Sequence, residues 1–294
     1  MIPVTVIGSY PTRLDGEKYA RAYFRDESVN AVREGIEQAV QKQLTAGVDI
    51  ISDGQCRGDF ISLFARNFKG VLMQTKPVVV SEIEYMGAST VQDQGIVKSI
   101  AGDRAKVKGI ITGPYTLAKS CRNRHYEGVE DLAYAFAKGL SREAKELDSV
   151  VDFIQVDEPF YSVEYPEYGR DLLGKVFSEV SKPKMLHVCG DVSDIFDDLT
   201  EFDVDYLEHE FAANPHLWES VSEIDFRQTL GVGVVRSDVD KVESIDELKD
   251  RMSEALKHVD EDKLMFNPDC GLRNLSPDVA FNKLRNMVAA RNLL

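Results

Sequence analysis

Lys263-Leu-Met-Phe-Asn267-Pro268-Asp269-Cys270-Gly271-Leu272-Arg273 is the stretch on which the fold turns. Its apolar opening reads as a strand, and the Pro and Gly that follow read as its stop. The stop leaves Cys270 at the strand's end. Earlier in the chain, Met185-Leu186-His187-Val188-Cys189-Gly190 ends in the same manner. His187 and Cys189 are two apart, so on an extended chain their side chains share a face. Two thiols and an imidazole at strand ends are the soft donors that zinc prefers. The competing reading is two buried cysteines and one hydrogen-bonded histidine, ordinary fates for both residue types.

Working outward, strands are predicted at 4–7, 49–53, 109–112, 152–157, 185–189, 205–210, 230–235 and 264–267. Helical spacing fills most of the gaps, at 28–46 with Gly47 as its cap, 130–149, 168–180, 191–199, 218–224, 244–258 and 277–290. The segment 77–100 breaks the alternation and reads as a β-hairpin insertion, pairing Val78–Tyr85 with Gly95–Ile100. Strand–helix alternation suits both a doubly wound sheet and a closed barrel. The donor residues decide between them, because they cluster at the ends of several different strands. A (β/α)₈ TIM barrel gathers all such ends at one face. No G-x-G-x-x-G follows the first strand. The expectation is an α/β fold, one TIM-barrel domain over residues 1–294 with a β-hairpin insertion.

The 294 residues carry a net charge of −15 and are 43% hydrophobic, the balance of an ordinary globular protein. So acidic a chain argues against a nucleic-acid or anionic-membrane partner. No apolar run reaches the length needed to span a bilayer. Four cysteines and an N-terminus without a signal-peptide pattern point to a reducing cytoplasm.

Two further loops carry polar clusters. Asp157-Glu158-Pro159 places two acids at a strand end, suited to an ammonium group or to acid–base work, or to a helix start. Asp53-Gly-Gln55-Cys-Arg57-Gly-Asp59 is a polar loop that is either a substrate contact or solvated surface. Glu208 and Glu210 alternate with His209, so either carboxylate can join the metal set. Cys56, Cys121, His125, His209, His216 and His258 have no partners at ligand spacing and read as packing or surface residues. No Walker loop, G-x-S-x-G elbow or H-E-x-x-H is present.

Taken together, Ile7-Gly8-Ser9-Tyr10-Pro11, Thr112-Gly113-Pro114, Ile154-Gln-Val-Asp157-Glu158-Pro159, His187-Val-Cys189 and Asn267-Pro-Asp-Cys270-Gly-Leu272 resemble the catalytic barrel of cobalamin-independent methionine synthases. The motifs run in that family's order along the chain. The resemblance implies a TIM barrel and a zinc ion that activates the sulfur of homocysteine for methylation. It puts the zinc ligands on His187, Cys189, Cys270 and Glu210, with Glu208 as neighbour or substitute. It puts the amino-acid contacts on Ile7, Gly8 and Ser9, with Ser9 for the carboxylate, and on Asp157 for the amino group. Two positions depart from the pattern: Gln55, a substrate-binding residue by alignment, stands where the family has a glutamate, and Asp238, the catalytic residue by alignment, stands where it has a proton-donating histidine. Being one barrel, the chain looks closer to the short archaeal and bacterial members, for which a methylcobalamin-type corrinoid carrier protein is the implied donor. Two alternatives are a barrel that methylates another thiol such as coenzyme M, and a non-catalytic corrinoid-protein-binding barrel.

Overall fold

The computed structural model describes residues 1–12 and 28–294. In chain order its strands are β1 (Ile50–Ile51), β2 (Phe68–Leu72), β3 (Val78–Tyr85), β4 (Lys106–Thr112), β5 (Arg122–Asn123), β6 (Phe153–Asp157), β7 (Lys184–His187), β8 (Tyr206–His209), β9 (Thr229–Val235) and β10 (Leu264–Pro268). Seven of them form one parallel sheet in the order β1-β4-β6-β7-β8-β9-β10. Its two edges meet through the N-terminal residues: Val4 bridges to Phe266 on β10 and Thr5 to Ile50 on β1, both parallel. The Thr5 N–H donates to the Phe266 carbonyl at 2.9 Å and the Ile50 N–H to the Val4 carbonyl at 3.1 Å. The sheet is thereby closed into a barrel with no free edge.

Helices cover the outside. The longest, Val129–Asp148, turns Leu132, Phe136, Leu140, Ala144 and Leu147 inward at helical spacing. Ile245–His258 starts with a capping box between Ser244 and Glu247, and Pro277–Arg291 starts with Ser276 as N-cap and Pro277 behind it. Inside the barrel the packing is partly polar. Lys108 and Glu208, both fully buried, pair at 3.1 Å across its interior. Gly231, the register partner of Glu208, makes room for this pair: a Cβ there would lie 2.6 Å from Glu208 Cγ.

The insertion differs from expectation. Val78–Tyr85 is a strand, but its antiparallel partner is β2, in register from Leu72↔Val78 to Phe68↔Tyr85. Val91–Ala101, which includes the expected second strand, is an α-helix. Ile96 and Val97 favour extended backbone by propensity, yet as a helix the stretch buries Val97 and Ala101 on one face. It also delivers Asp93 to Arg57, which it meets at 2.6 Å. β5 adds to β3 in parallel, and this small sheet sits on the helix Val129–Asp148. Phe68 stacks edge-on to Phe136 with centroids 5.0 Å apart. The buried Glu143 accepts hydrogen bonds from the Tyr85 hydroxyl at 2.8 Å and the Thr90 N–H at 2.9 Å. Among the described residues no helix is long and apolar enough to cross a membrane.

Candidate active site

Because the barrel strands are parallel, their C-terminal ends share one rim. His187 is the last residue of β7, and Cys189 and Cys270 lie just past the ends of β7 and β10. Their donor atoms all fall within 4.8 Å of one another. His187 Nε2 is 2.9 Å from Cys189 Sγ, which is 2.9 Å from Cys270 Sγ, and both cysteines are free thiols. The other ring nitrogen, Nδ1, faces the Glu208 carbonyl at 3.0 Å. A carbonyl can only accept, so this contact keeps a proton on Nδ1 and aims Nε2, the nitrogen that a metal would take on displacing its proton, at the thiols.

The cluster is electrostatically coupled. Cys270 is held well below the ordinary thiol range by the Cys189 side chain and, against the cost of burial, by His187. Cys189 is pushed well above it, chiefly by the Cys270 side chain and then by burial. Burial alone would lower His187, but the hydrogen bond and charge of Cys270 outweigh it and raise the imidazole to about 9. The site is thus built to hold a thiolate, the form a metal binds.

Beside the cluster lies a pocket of about 310 Å³ lined by His187, Cys189, Cys270 and by Ile7, Ser9, Gln55 and Asp157. Each of these is a residue the sequence singles out, and they come from five different strand ends. The Ile7-Gly8-Ser9 turn is pinned from three sides. Gln155 Nε2 donates to the Ile7 carbonyl at 2.9 Å, the Ser52 hydroxyl to the Gly8 carbonyl at 2.7 Å, and the Leu272 N–H to the Ser9 carbonyl at 2.8 Å. Gly8 itself does not face the pocket. It is buried with Ile110 beneath it, where a Cβ would meet Ile110 Cδ1 at 2.7 Å. Ser9 depends on Gly271 in the same manner: a Cβ on Gly271 would fall 2.1 Å from Ser9 Oγ.

The acidic pair divides its labour. Asp157 faces the pocket and accepts from Gln155 Nε2 at 2.6 Å. Burial lifts its carboxyl to about 6, with His187, Gln155 and Lys108 opposing the rise. Glu158 points the other way, fully buried, into the start of the helix Pro114–Ser120. It accepts from the Tyr115 and Thr116 N–H groups, both at 2.9 Å, and from the Thr116 hydroxyl at 2.6 Å. Gly113 is required by that contact, since a Cβ there would overlap the Glu158 carboxyl at 2.1 Å. Gln55 occupies the left-handed backbone region at φ 47°, rare for a residue with a Cβ. Its N–H donates to Asp53 at 2.9 Å, and its carbonyl accepts from Arg273.

The two candidate glutamates are distinguished by their surroundings. Glu208 is committed to Lys108 inside the barrel. Glu210 is partly buried beside the cluster, where burial raises its carboxyl, the Gly190 N–H opposes that rise, and Cys270 adds to it. Its oxygens lie outside the group that His187, Cys189 and Cys270 form. Asp238 is not brought to the pocket. It is exposed and doubly hydrogen-bonded to Arg236, at 2.7 and 2.5 Å, which holds its carboxyl below the ordinary range. An ionised, Arg-paired carboxylate has no proton to give, so the geometry lends the expected proton-donor role no support.

The remaining histidines pack or pair as anticipated. His209 is buried edge-on to Phe196, His258 stacks on Trp218, His216 pairs with Asp191 at 2.8 Å, and His125 lies against Tyr126. Cys56 and Cys121 are buried. Sequence reading assigns no role to Arg273, Phe60 or Asn274, all of which line the pocket. The signal for Arg273 was its place three residues after Cys270, as a cation in a pocket whose other charged side chains are acids.

A parallel barrel with a His–Cys–Cys donor group at its C-terminal rim, beside a pocket carrying a carboxylate, defines a class of TIM-barrel site whose thiols and imidazole could hold a metal ion. Comparison with known proteins places it more closely. The family model for the cobalamin-independent synthase catalytic domain matches residues 2–292. The chain is 37% identical to a methionine synthase of Methanocaldococcus jannaschii, covering 99% of this chain and 98% of that one. It is 36% identical to a methionine synthase of Methanothermobacter marburgensis, covering 97% and 98%. The structure of a B12-independent methionine synthase from Shewanella sp. W3-18-1, solved in complex with selenomethionine, superposes with a TM-score of 0.87 at 25% identity over 100% of this chain and 97% of that one. The chain belongs to the cobalamin-independent methionine synthase family.

Proposed function

We propose that this protein transfers a methyl group to the thiol of homocysteine, forming methionine, with zinc held by His187, Cys189, Cys270 and Glu210. The observation that carries the reading is the meeting of the His187–Cys189–Cys270 group with Asp157 in one pocket. The donors fit zinc by chemistry: two sulfurs, one of them favoured as thiolate, and an imidazole whose Nε2 is aimed by the contact of Nδ1 with the Glu208 carbonyl. Zinc, when bound, supplies a position at which a substrate thiol is held as thiolate at neutral pH. The chain's own residues supply orientation. Asp157, largely ionised above about pH 6, meets the ammonium of the amino acid. The pinned Ile7–Ser9 turn fixes the pocket wall on which the substrate lies. Such positioning matters because displacement at carbon needs the thiolate and the methyl in line.

Asp157 also favours homocysteine over coenzyme M, since a carboxylate attracts an ammonium and repels a sulfonate. Selenomethionine, found in the Shewanella relative, is methionine with selenium for sulfur, which agrees with a product-sized pocket. A methylated corrinoid as donor rests on the resemblance of the sequence alone. The test offers zinc-loaded protein homocysteine and coenzyme M in parallel, with methylcobalamin and a methylated folate as donors. Methionine formed from homocysteine, and lost in Cys270→Ser, supports the reading. Transfer to coenzyme M instead refutes the acceptor, and zinc-loaded protein inert with every pair refutes the activity.

A further inference from the structure

Asp269, between Pro268 and Cys270, is a buried acid for which the proposed transfer has no direct use. Its side chain crosses β9 to reach the chain just past β8. Oδ1 accepts from the Ala212 N–H at 3.0 Å, a donor shared with the Gly233 carbonyl at 2.9 Å, and the Ala213 N–H supports the same carboxyl. Gly233 on β9 leaves the crossing open, since a Cβ there would lie 2.3 Å from Asp269 Oδ1. Oδ2 has no hydrogen-bond partner among the described residues. A half-satisfied buried carboxyl is destabilising, so packing alone does not explain an acid at this position.

What the carboxyl holds is the turn that follows Glu210. Asn214 closes that turn, its N–H and its Nδ2 both donating to the Glu210 carbonyl, at 3.2 and 3.1 Å. The Glu210 carboxylate itself accepts from the Gly190 N–H, next to Cys189. Glu210 is therefore tied by its side chain to the loop of one thiol and by its turn to the residue preceding the other. Its oxygens stand outside the three-donor group, so its approach to a metal is decided by that turn. We infer that Asp269 is a positioning residue for the metal site: by anchoring the turn after β8 to the Cys270 loop, it keeps Glu210 within reach of an ion bound by His187, Cys189 and Cys270. The inference rests on the metal reading above and deepens it.

The test measures zinc affinity by chelator competition on wild type, Asp269→Ala, Glu210→Gln and the double variant, with the visible absorption of cobalt(II) in the same site as a second readout. Each single variant should weaken zinc by about ten- to a hundred-fold, the range for lost partners of metal ligands, and should alter the cobalt spectrum in the same direction. The double variant should be no more than about two-fold weaker than Glu210→Gln, because a residue acting through Glu210 has nothing left to hold once that carboxylate is gone. Asp269→Asn, which keeps an oxygen for the Ala212 N–H, should retain most of the affinity. Asp269→Leu, which fills the volume without an acceptor, should match Asp269→Ala and replaces it if the smaller side chain fails to fold. Losses that multiply in the double variant would assign Asp269 to Cys270 or to the fold at large and overturn the inference. Wild-type affinity and spectrum in Asp269→Leu overturn it as well. An inert Glu210→Gln removes Glu210 as a ligand and the inference with it, leaving the His187–Cys189–Cys270 reading in place. Wild type that takes up no zinc removes the metal reading itself.

Discussion

Replacing Lys108 with Met isolates the buried ion pair inside the barrel. Lys108 and Glu208 have no solvent-exposed side-chain surface and are 3.1 Å apart. Burial lowers the Lys108 ammonium, and Glu208, followed by Asp157, draws it back up. Lys108→Met leaves the Glu208 carboxylate buried without its cation, a defect that costs about 3–5 kcal/mol. An unfolding entropy of about 2.1 cal/mol/K per residue gives roughly 0.6 kcal/mol per degree for a chain of this length. The melting midpoint should therefore fall by ~5–8 °C. Lys108→Met with Glu208→Met removes both charges together and should recover to within ~1–2 kcal/mol of wild type, because a well-packed apolar pair replaces a buried ion pair at little cost. The assay is thermal unfolding of wild type, the single variants and the double variant, with zinc content measured on each. The double variant should keep its zinc, since His187 is oriented by the Glu208 backbone carbonyl, which the substitution leaves in place. A double variant as unstable as the singles would refute the reasoning, because the cost would then belong to volume and not to charge.

Further expectations concern the pocket. Burial lifts the Asp157 carboxyl from the ordinary 3.8 to about 6, so it is the neutral form that gains as pH falls through 6. Homocysteine affinity should drop about ten-fold per pH unit below that value, as expected for one essential ionisation, with zinc occupancy tracked in parallel. Asp157→Asn should be weak and lack this limb; an unchanged profile in that variant rules Asp157 out. In stability terms the sign is opposite: this group's contribution is complete below 3.8 and is lost as pH rises through about 6, where substrate affinity is gained. Gly271→Ala places a methyl 2.1 Å from Ser9 Oγ and should raise the homocysteine KM while zinc stays bound. Normal KM would show that Ser9 moves aside freely. Glu210→Gln should weaken zinc retention against a chelator by at least the ~10-fold that loss of an outer-shell partner costs, whereas Asp238→Ala should leave transfer within about three-fold. A large loss of turnover in Asp238→Ala would restore it as a catalytic residue.

Much of the site was legible because its residues end strands. His187, Cys189, Cys270 and Asp157 are announced by apolar runs that stop at Pro or Gly, and parallel strands leave such residues nowhere to go but a common rim. Ring closure through Val4 and Thr5 was less visible, since two bridging residues carry no period. The insertion misled for a different reason. Ile96 and Val97 have local preferences for extended chain, and only contacts made far away, among them Asp93 with Arg57, select the helix. Glu208 and Glu210 share a face in sequence, and nothing short of the Lys108 partner tells them apart. Arg273 stands in the most informative stretch of the chain, but its place on the pocket wall is set by the loop beyond β10, which carries no period.

The bridge between Val4 and Phe266 bears on how the protein is made as well as on its shape. The first stave has no second neighbour until the last has been synthesised, so closure is a contact of very long sequence separation and a late, slow event. Cys270 lies just beyond that same last stave. The donor group at the rim is complete only when the ring is. A ribosome-bound chain halted before β10 would carry His187 and Cys189 as an unfinished pair, and a metal held by all three donors would report that the final turn of the barrel is in place.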